Sequence, residues 1–232
     1  GVIQQIADIG GLCGKHGVLF HTDAAQAVGK IPIDVNAMNI DLMSISSHKM
    51  YGPKGIGALY VRRRPRVRLN AQIDGGGQER NLRSGTLPTP LCVGLGSACQ
   101  IASDALEQEA LRIEALRDRL YDGILRRLPD VMLHGHRKLR LPGNLNLSFA
   151  GLNSETIMGA LPDIAISSGS ACTSTSIEPS YVIRALGLSE EIARGSLRFG
   201  IGRFTTEAEI DYSIERVTNT VLALQTQRKT DE

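Results

Sequence analysis

The chain has 232 residues, 42% of them hydrophobic, which is enough for one large domain or two modest ones with real cores. A net charge of +2 gives no reason to expect nucleic acid as a partner, and no apolar run approaches the roughly 18 residues of a membrane span. With 25 Gly, no Trp and 4% aromatic residues, the composition fits an α/β enzyme better than an antiparallel sandwich.

Ile3, Ile6, Ile9 and Leu12 fall at helical spacing, so a helix is expected over 2–14, stopped by Gly14 and Gly17. Residues 18–22 read as a strand with Asp23 at its carboxyl end. A second apolar run, 40–45, passes into Ser44-Ile45-Ser46-Ser47-His48-Lys49 and then the turn Tyr51-Gly52-Pro53-Lys54-Gly55. Open α/β sheets bind ligands at the carboxyl ends of their strands, where Asp23 and Lys49 would both lie. A lysine there can lose its charge by desolvation and form a Schiff base with a carbonyl. An acid facing such a lysine across a ring is the pairing that pyridoxal phosphate (PLP) requires, because the carboxylate keeps the pyridine nitrogen protonated. The plainer alternatives are a solvated lysine in a turn and an Asp that caps a helix.

His21-Thr22-Asp23-Ala24-Ala25-Gln26, taken with the serine–histidine–lysine stretch and its glycine–proline turn, resembles the cysteine desulfurases of the housekeeping iron–sulfur type. These are class V aminotransferase-like PLP enzymes of the aspartate aminotransferase-like fold, fold type I. The resemblance implies an α/β fold with an incomplete large-domain sheet over 1–104 and an α/β small domain over 105–232. It makes Lys49 the Schiff-base lysine and Asp23 the partner of the pyridine nitrogen. Gln26 becomes a donor to the ring oxygen, and Ser46 and His48 become phosphate ligands.

Residues 56–61 read as a strand running into Arg62-Arg63-Arg64-Pro65-Arg66-Val67-Arg68. Like charges at this density stay solvated, as a wet loop or as a docking patch for an acidic protein. In the resembled family this region docks acidic partners such as frataxin and ferredoxin. Gly75-Gly76-Gly77 opens a loop before Arg83-Ser84-Gly85-Thr86, a setting that can present backbone N–H groups and a hydroxyl to phosphate. By resemblance Thr86 reaches the phosphate of a neighbouring subunit, implying a homodimer.

After a loose 88–90 stretch, a long helix is expected from Ile101 to Leu128, with Leu106, Ile113, Leu116, Leu120, Ile124 and Leu128 on one stripe. Glu114 and Asp118 read as salt-bridge partners on its wet face. Cys13, Cys92, Cys99 and Cys172 lack any CxxC or metal-finger spacing and suggest free thiols in a reducing compartment. Cys92 and Cys99 read as small buried residues.

Strands are expected at 145–149 and 164–166, with a short helix from Ser154 between them. Then comes Ser167-Ser168-Gly169-Ser170-Ala171-Cys172-Thr173-Ser174-Thr175-Ser176, a run of small residues with no apolar anchor, expected to be a mobile loop. A cysteine at such a tip has the access that a reactive thiol needs. The stretch resembles the family motif that carries the sulfur-accepting cysteine, which would also be a transient cluster ligand shared with a scaffold protein.

A helix is expected from Glu178 to near Gly187. In Ser196-Leu197-Arg198-Phe199-Gly200, Leu197 and Phe199 share one side of a strand and Arg198 the other, suited to grip an α-carboxylate bidentately. The resemblance gives Arg198 that role. Arg203 reads as structural, Thr206-Glu207-Ala208-Glu209 as a capping box, and the segment after Leu224 as frayed.

The expected activity is conversion of L-cysteine to L-alanine with a persulfide on Cys172, passed to an iron–sulfur scaffold or a thiolation partner. The compartment would be bacterial cytosol or mitochondrial matrix, with no membrane and no nucleic acid involved. Two rivals are a PLP aminotransferase or lyase that never uses Cys172, and a non-catalytic docking platform. Family members carry a further N-terminal part of the large domain, including a ring-stacking His, and a longer C-terminus that docks the scaffold. Residues 1–232 alone are therefore expected to bind PLP poorly.

Overall fold

The computed structural model describes residues 1–168 and 180–231. The chain divides into two compact units, one of residues 4–108 and one of 1–3 with 109–232. No helix among the described residues is long and apolar enough to cross a membrane.

The first unit contains helix α1 (Ile6–Lys15) and a three-stranded sheet in the order β1 (His21–Asp23), β2 (Leu42–Ser46), β3 (Gly57–Val61). β1 runs parallel to β2, and β3 antiparallel to it. The helix starts later than its apolar period suggests, because Ile3 donates its N–H to Leu139 O and Val2 bridges Arg140. Ala24, Ile40 and Met43 form the buried centre, with Phe20, Val28, Ile33, Val35 and Ile45 half-buried around it. Only a glycine fits at position 57, where an added Cβ would lie 2.4 Å from Ile45 O across the β2–β3 pair.

Arg62 corrects the reading of the arginine run. The register pairs Leu42 with Val61, so one step outward Asp41 faces Arg62. Arg62 Nε lies 3.0 Å from Asp41 Oδ1, and its Nη2 donates to Val35 O and Ile40 O at 2.8 Å each. Asp41 Oδ2 in turn accepts from Phe20 N. Arg62 is a bracket across the start of the sheet, and Val67 is buried; Arg63, Arg64, Arg66 and Arg68 remain exposed.

Helix α2 is a short turn at Gln78–Asn81, and α3 runs from Thr89 to Arg127. The 88–90 stretch is therefore not loose. Thr89 opens the helix, and Pro90 sits in its first turn, where a missing N–H costs no hydrogen bond. Cys99 is exposed and Cys92 half-buried, against the expectation that both are buried. Both lie on the part of α3 that belongs to the first unit, whose small apolar core reaches few of its faces.

The second unit holds an antiparallel sheet, β4 (Met132–Leu133), β5 (Asn144–Ser148) and β6 (Ser196–Gly200), with α4 (Ser154–Gly159), α5 (Tyr181–Ala185), α6 (Glu190–Arg194) and α7 (Glu207–Asp231). The α3 stripe of Leu116, Leu120 and Ile124 packs with Leu145 and Leu147 of β5, Leu197 and Phe199 of β6, and Val217 and Val221 of α7. Periods of 3.6 and 2 deliver these side chains to one core. Arg117, only 3% exposed, is paired by Glu114 and Asp118 at 2.8 Å each, the role expected of those two acids.

Thr206 and Glu209 form the reciprocal capping box: Thr206 N donates to Glu209 Oε2, and Glu209 N to Thr206 Oγ1. Arg203, expected to be structural, pairs with Glu109 at 2.7 Å. Two readings fail here. Residues 164–166 form no strand, and only Ser167 bridges Arg198. The segment after Leu224 continues α7 to Asp231, helped by Arg228 donating to Gly151 O.

Candidate active site

At the end of β2 the chain enters a 3-10 turn, Ser47–Met50, where side chains three apart share a face. Ser47 and Met50 are buried, and His48 and Lys49 are exposed. The apolar Met50 pulls one face of the turn inward, and so holds Lys49 outward just beyond the carboxyl end of β2. Tyr51 then adopts a left-handed conformation (φ 66°), and Gly52 folds back with its N–H on Ser47 O. An added Cβ at Gly52 would lie 2.2 Å from Ser47 Oγ, so the turn closes only around glycine.

Asp23 ends β1, opposite Ser44 of β2 in the parallel register. Its Oδ1 accepts from Ala25 N at 2.8 Å, closing a turn and not capping a helix, since no helix directly follows β1, while Oδ2 takes no hydrogen bond among the described residues. His21, one exposed position earlier on the same strand face, meets Ser44 Oγ at 2.9 Å through Nε2. Ser46 Oγ lies 3.1 Å from His48 Nδ1, which places a hydroxyl and an imidazole side by side next to Lys49. Lys49 has no ion-pair partner among the described residues. Gln26 is exposed in the turn after Asp23.

The fold thus brings Asp23, Gln26, Ser46, His48 and Lys49 to the carboxyl ends of two adjacent parallel strands of one unit. Thr86, also exposed, makes no hydrogen bond to any of them among the described residues. Arg198 lies in the second unit, on β6 between the buried Leu197 and Phe199, with its side chain on the opposite face. Cys172 lies outside the described residues, as do residues 169–176 of its loop, whereas Ser167 and Ser168 are described. Among the described residues no cluster of three His, Cys, Asp or Glu is placed to hold a metal ion.

One buried hydroxyl at this site was not anticipated. Ser47 Oγ is wholly enclosed and has no hydrogen-bond partner among the described residues. Its signal in the sequence, a second small residue between Ser46 and His48, cannot be told from an ordinary turn serine.

The sequence matches the family described as Aminotransferase class-V over residues 1–212. The chain belongs to the aminotransferase class-V family. Its likeness within that family is to cysteine desulfurases. It is 61% identical over 216 residues to the human protein named "Cysteine desulfurase", covering 93% of this chain and 47% of that one. It is 58% identical over 217 residues to "Cysteine desulfurase IscS" of Rickettsia rickettsii (strain Iowa), covering 94% and 53%.

Among solved structures, the class-V chain superposes on a NifS-like protein from Rickettsia africae ESF-5 with a TM-score of 0.85 at 28% identity, covering 95% of this chain and 58% of that one. DndA from Streptomyces lividans gives a TM-score of 0.72 at 39% identity, covering 87% and 57%. The architecture is therefore the α/β fold type I of the PLP-dependent transferases, with partial sheets. The chain spans about half the length of the curated relatives it matches.

Proposed function

We propose that this protein is a PLP-dependent cysteine desulfurase, in which L-cysteine and an acceptor thiol give L-alanine and a persulfide. The observation that carries the reading is the grouping at the carboxyl ends of β1 and β2: an acid, an outward lysine, and a hydroxyl–imidazole pair beside it. This donor set fits the cofactor. Lys49 would hold its aldehyde carbon, Asp23 Oδ2 is available to its ring nitrogen, and Ser46 and His48 offer donors to its phosphate. Gln26 would donate to its ring oxygen. Bound there, PLP supplies an electron sink for the charge left at the substrate Cα.

The remaining work falls to side chains of this chain. Arg198 grips the substrate α-carboxylate with two parallel hydrogen bonds. Lys49 would take the Cα proton of the bound substrate and return protons later in the cycle. Cys172, as thiolate, attacks the substrate sulfur; the new S–S bond replaces the Cβ–S bond, whose electron pair stays with the carbon that becomes the alanine methyl. The persulfide then passes to an iron–sulfur scaffold or a thiolation partner, where Cys172 could act as a transient cluster ligand. Arg63, Arg64, Arg66 and Arg68 offer an acidic frataxin- or ferredoxin-like protein a basic surface. Thr86 would complete the phosphate site of the second subunit of a homodimer.

The test is alanine formation from L-cysteine by the native polypeptide and two variants. Lys49→Ala is expected to abolish it and Cys172→Ala to reduce it to background. Full turnover by Cys172→Ala would favour an aminotransferase or lyase that does not use this thiol.

A further inference from the structure

The segment that leads into the cysteine-bearing stretch is fastened at two described points, the first to α7 and the second to Arg198. The first is Asp163. Arg216 of α7 grips it with both arms, Nε to Oδ2 and Nη2 to Oδ1 at 2.9 Å each. Tyr212, one turn earlier on α7, donates its hydroxyl to the same Oδ2. Arg216 first and Tyr212 second hold the Asp163 carboxyl far below the usual carboxylate range. The second point is Ser167, whose N–H and C=O pair with the C=O and N–H of Arg198 at 3.3 and 2.6 Å.

Between these points the packing is thin. Ile164 and Ile166 are half-buried against the core, and with Phe199, Ile201 and Ile210 they line an open cleft of about 280 Å³. Side chains at the edge of an open cleft have packing partners on one side only. The bidentate clamp on Asp163 and the bridge at Ser167 therefore add to this packing in setting where residues 164–167 run.

Chain geometry makes that placement matter. Cys172 follows Ser167 by five residues in the sequence, so the bridge at Ser167 is the last described fastening before it. Bridged residues sit about 5 Å apart, so the residue that would hold the substrate carboxylate shares its anchor with the segment that carries the thiol.

We propose that Asp163 is a positioning residue for sulfur transfer: clamped by Arg216 and Tyr212, it sets the start of the cysteine-bearing segment against Arg198. This rests on the reading that Cys172 and Arg198 act on L-cysteine. α7 stays seated without the clamp, since Val217 and Val221 are fully buried.

The test uses the native polypeptide loaded with PLP, as wild type, Asp163→Asn, Arg216→Gln and Arg216→Lys, with Cys172→Ala as control. Three quantities are read: persulfide on Cys172, the cysteine concentration that half-saturates the cofactor's spectral change, and the unfolding midpoint. Asp163→Asn and Arg216→Gln are expected to slow persulfide formation roughly tenfold, the size of loss that a small misplacement of reacting groups produces. Half-saturation by cysteine should not move, and Arg216→Lys should recover part of the rate. Persulfide formation at the wild-type rate in both variants would overturn the proposal, as would a loss that follows only the folded fraction. Undiminished alanine formation by Cys172→Ala would instead sink the desulfurase reading beneath it.

Discussion

The turn that carries Lys49 is closed by a contact whose energetics can be worked out atom by atom. Ser47 Oγ is fully enclosed and unpartnered among the described residues, and a hydroxyl in that state costs about 1–3 kcal/mol relative to one that keeps its water. Ser47→Ala removes the cost and leaves a void of only one oxygen, so it is expected to stabilise by about 1 kcal/mol. Gly52→Ala brings a Cβ to 2.2 Å from Ser47 Oγ, 3.0 Å from Ala98 Cβ and 3.2 Å from Ser47 O. Overpacking of this kind costs about 1–3 kcal/mol. When Ser47 is already alanine the shortest of these contacts is gone, and only the two milder ones remain.

The two substitutions should therefore couple, with Gly52→Ala cheaper by about 1–2 kcal/mol in the Ser47→Ala background. Denaturant unfolding of the native polypeptide and the three variants measures this, and PLP loading reports whether Lys49 has moved. An equal cost of Gly52→Ala in both backgrounds would show that the hydroxyl is not what Gly52 avoids. A loss of stability in Ser47→Ala would show that it has a partner.

Two further outcomes follow from buried charges. Arg62→Ala leaves the half-buried Asp41 without its guanidinium and should destabilise by about 3–5 kcal/mol in denaturant unfolding. Serine at 63, 64, 66 and 68 together should change stability by less than about 1 kcal/mol while weakening salt-sensitive capture of an acidic partner; equal losses from the two changes would refute the division of the arginine run. His134 is held neutral, its pKa lowered first by burial and then by Arg140. Ser148 Oγ donates to Ile192 O and so accepts from His134 Nε2, leaving Nδ1 enclosed and without a partner among the described residues. A His with a lowered folded pKa binds protons less readily than the unfolded chain does. Stability should therefore be lost as pH falls below about 6.5, the unfolded value. The slope should flatten in His134→Gln, and an unchanged slope would remove His134 from the account.

The parts of this chain that could be read from its sequence are those fixed by local pattern. The stripe on α3, the alternation of Leu145 with Leu147 and of Leu197 with Phe199, and the Thr206–Glu209 cap each follow from a spacing that only one element satisfies. Asp23 and Lys49 were legible for the same reason, since each closes an apolar run at a strand end. What escaped depends on partners distant in sequence. Arg62 looks like its four neighbours until the hairpin register places Asp41 opposite it. Asp163 carries no local sign that Tyr212 and Arg216 converge on it. Residues 164–166 have a strand's composition, yet the only bridge in this stretch among the described residues is at Ser167, a pairing that local pattern does not reveal. Pro88 and Pro90 suggested a break, yet the helix simply begins between them.

The reading of function is tested most directly at one sulfur atom. The native polypeptide, loaded with PLP, is mixed with L-cysteine without oxygen, and the peptide containing Cys172 is weighed. A peptide one sulfur heavier, formed alongside alanine and missing in Lys49→Ala, is the predicted result. An unmodified Cys172 peptide accompanied by undiminished alanine would contradict it.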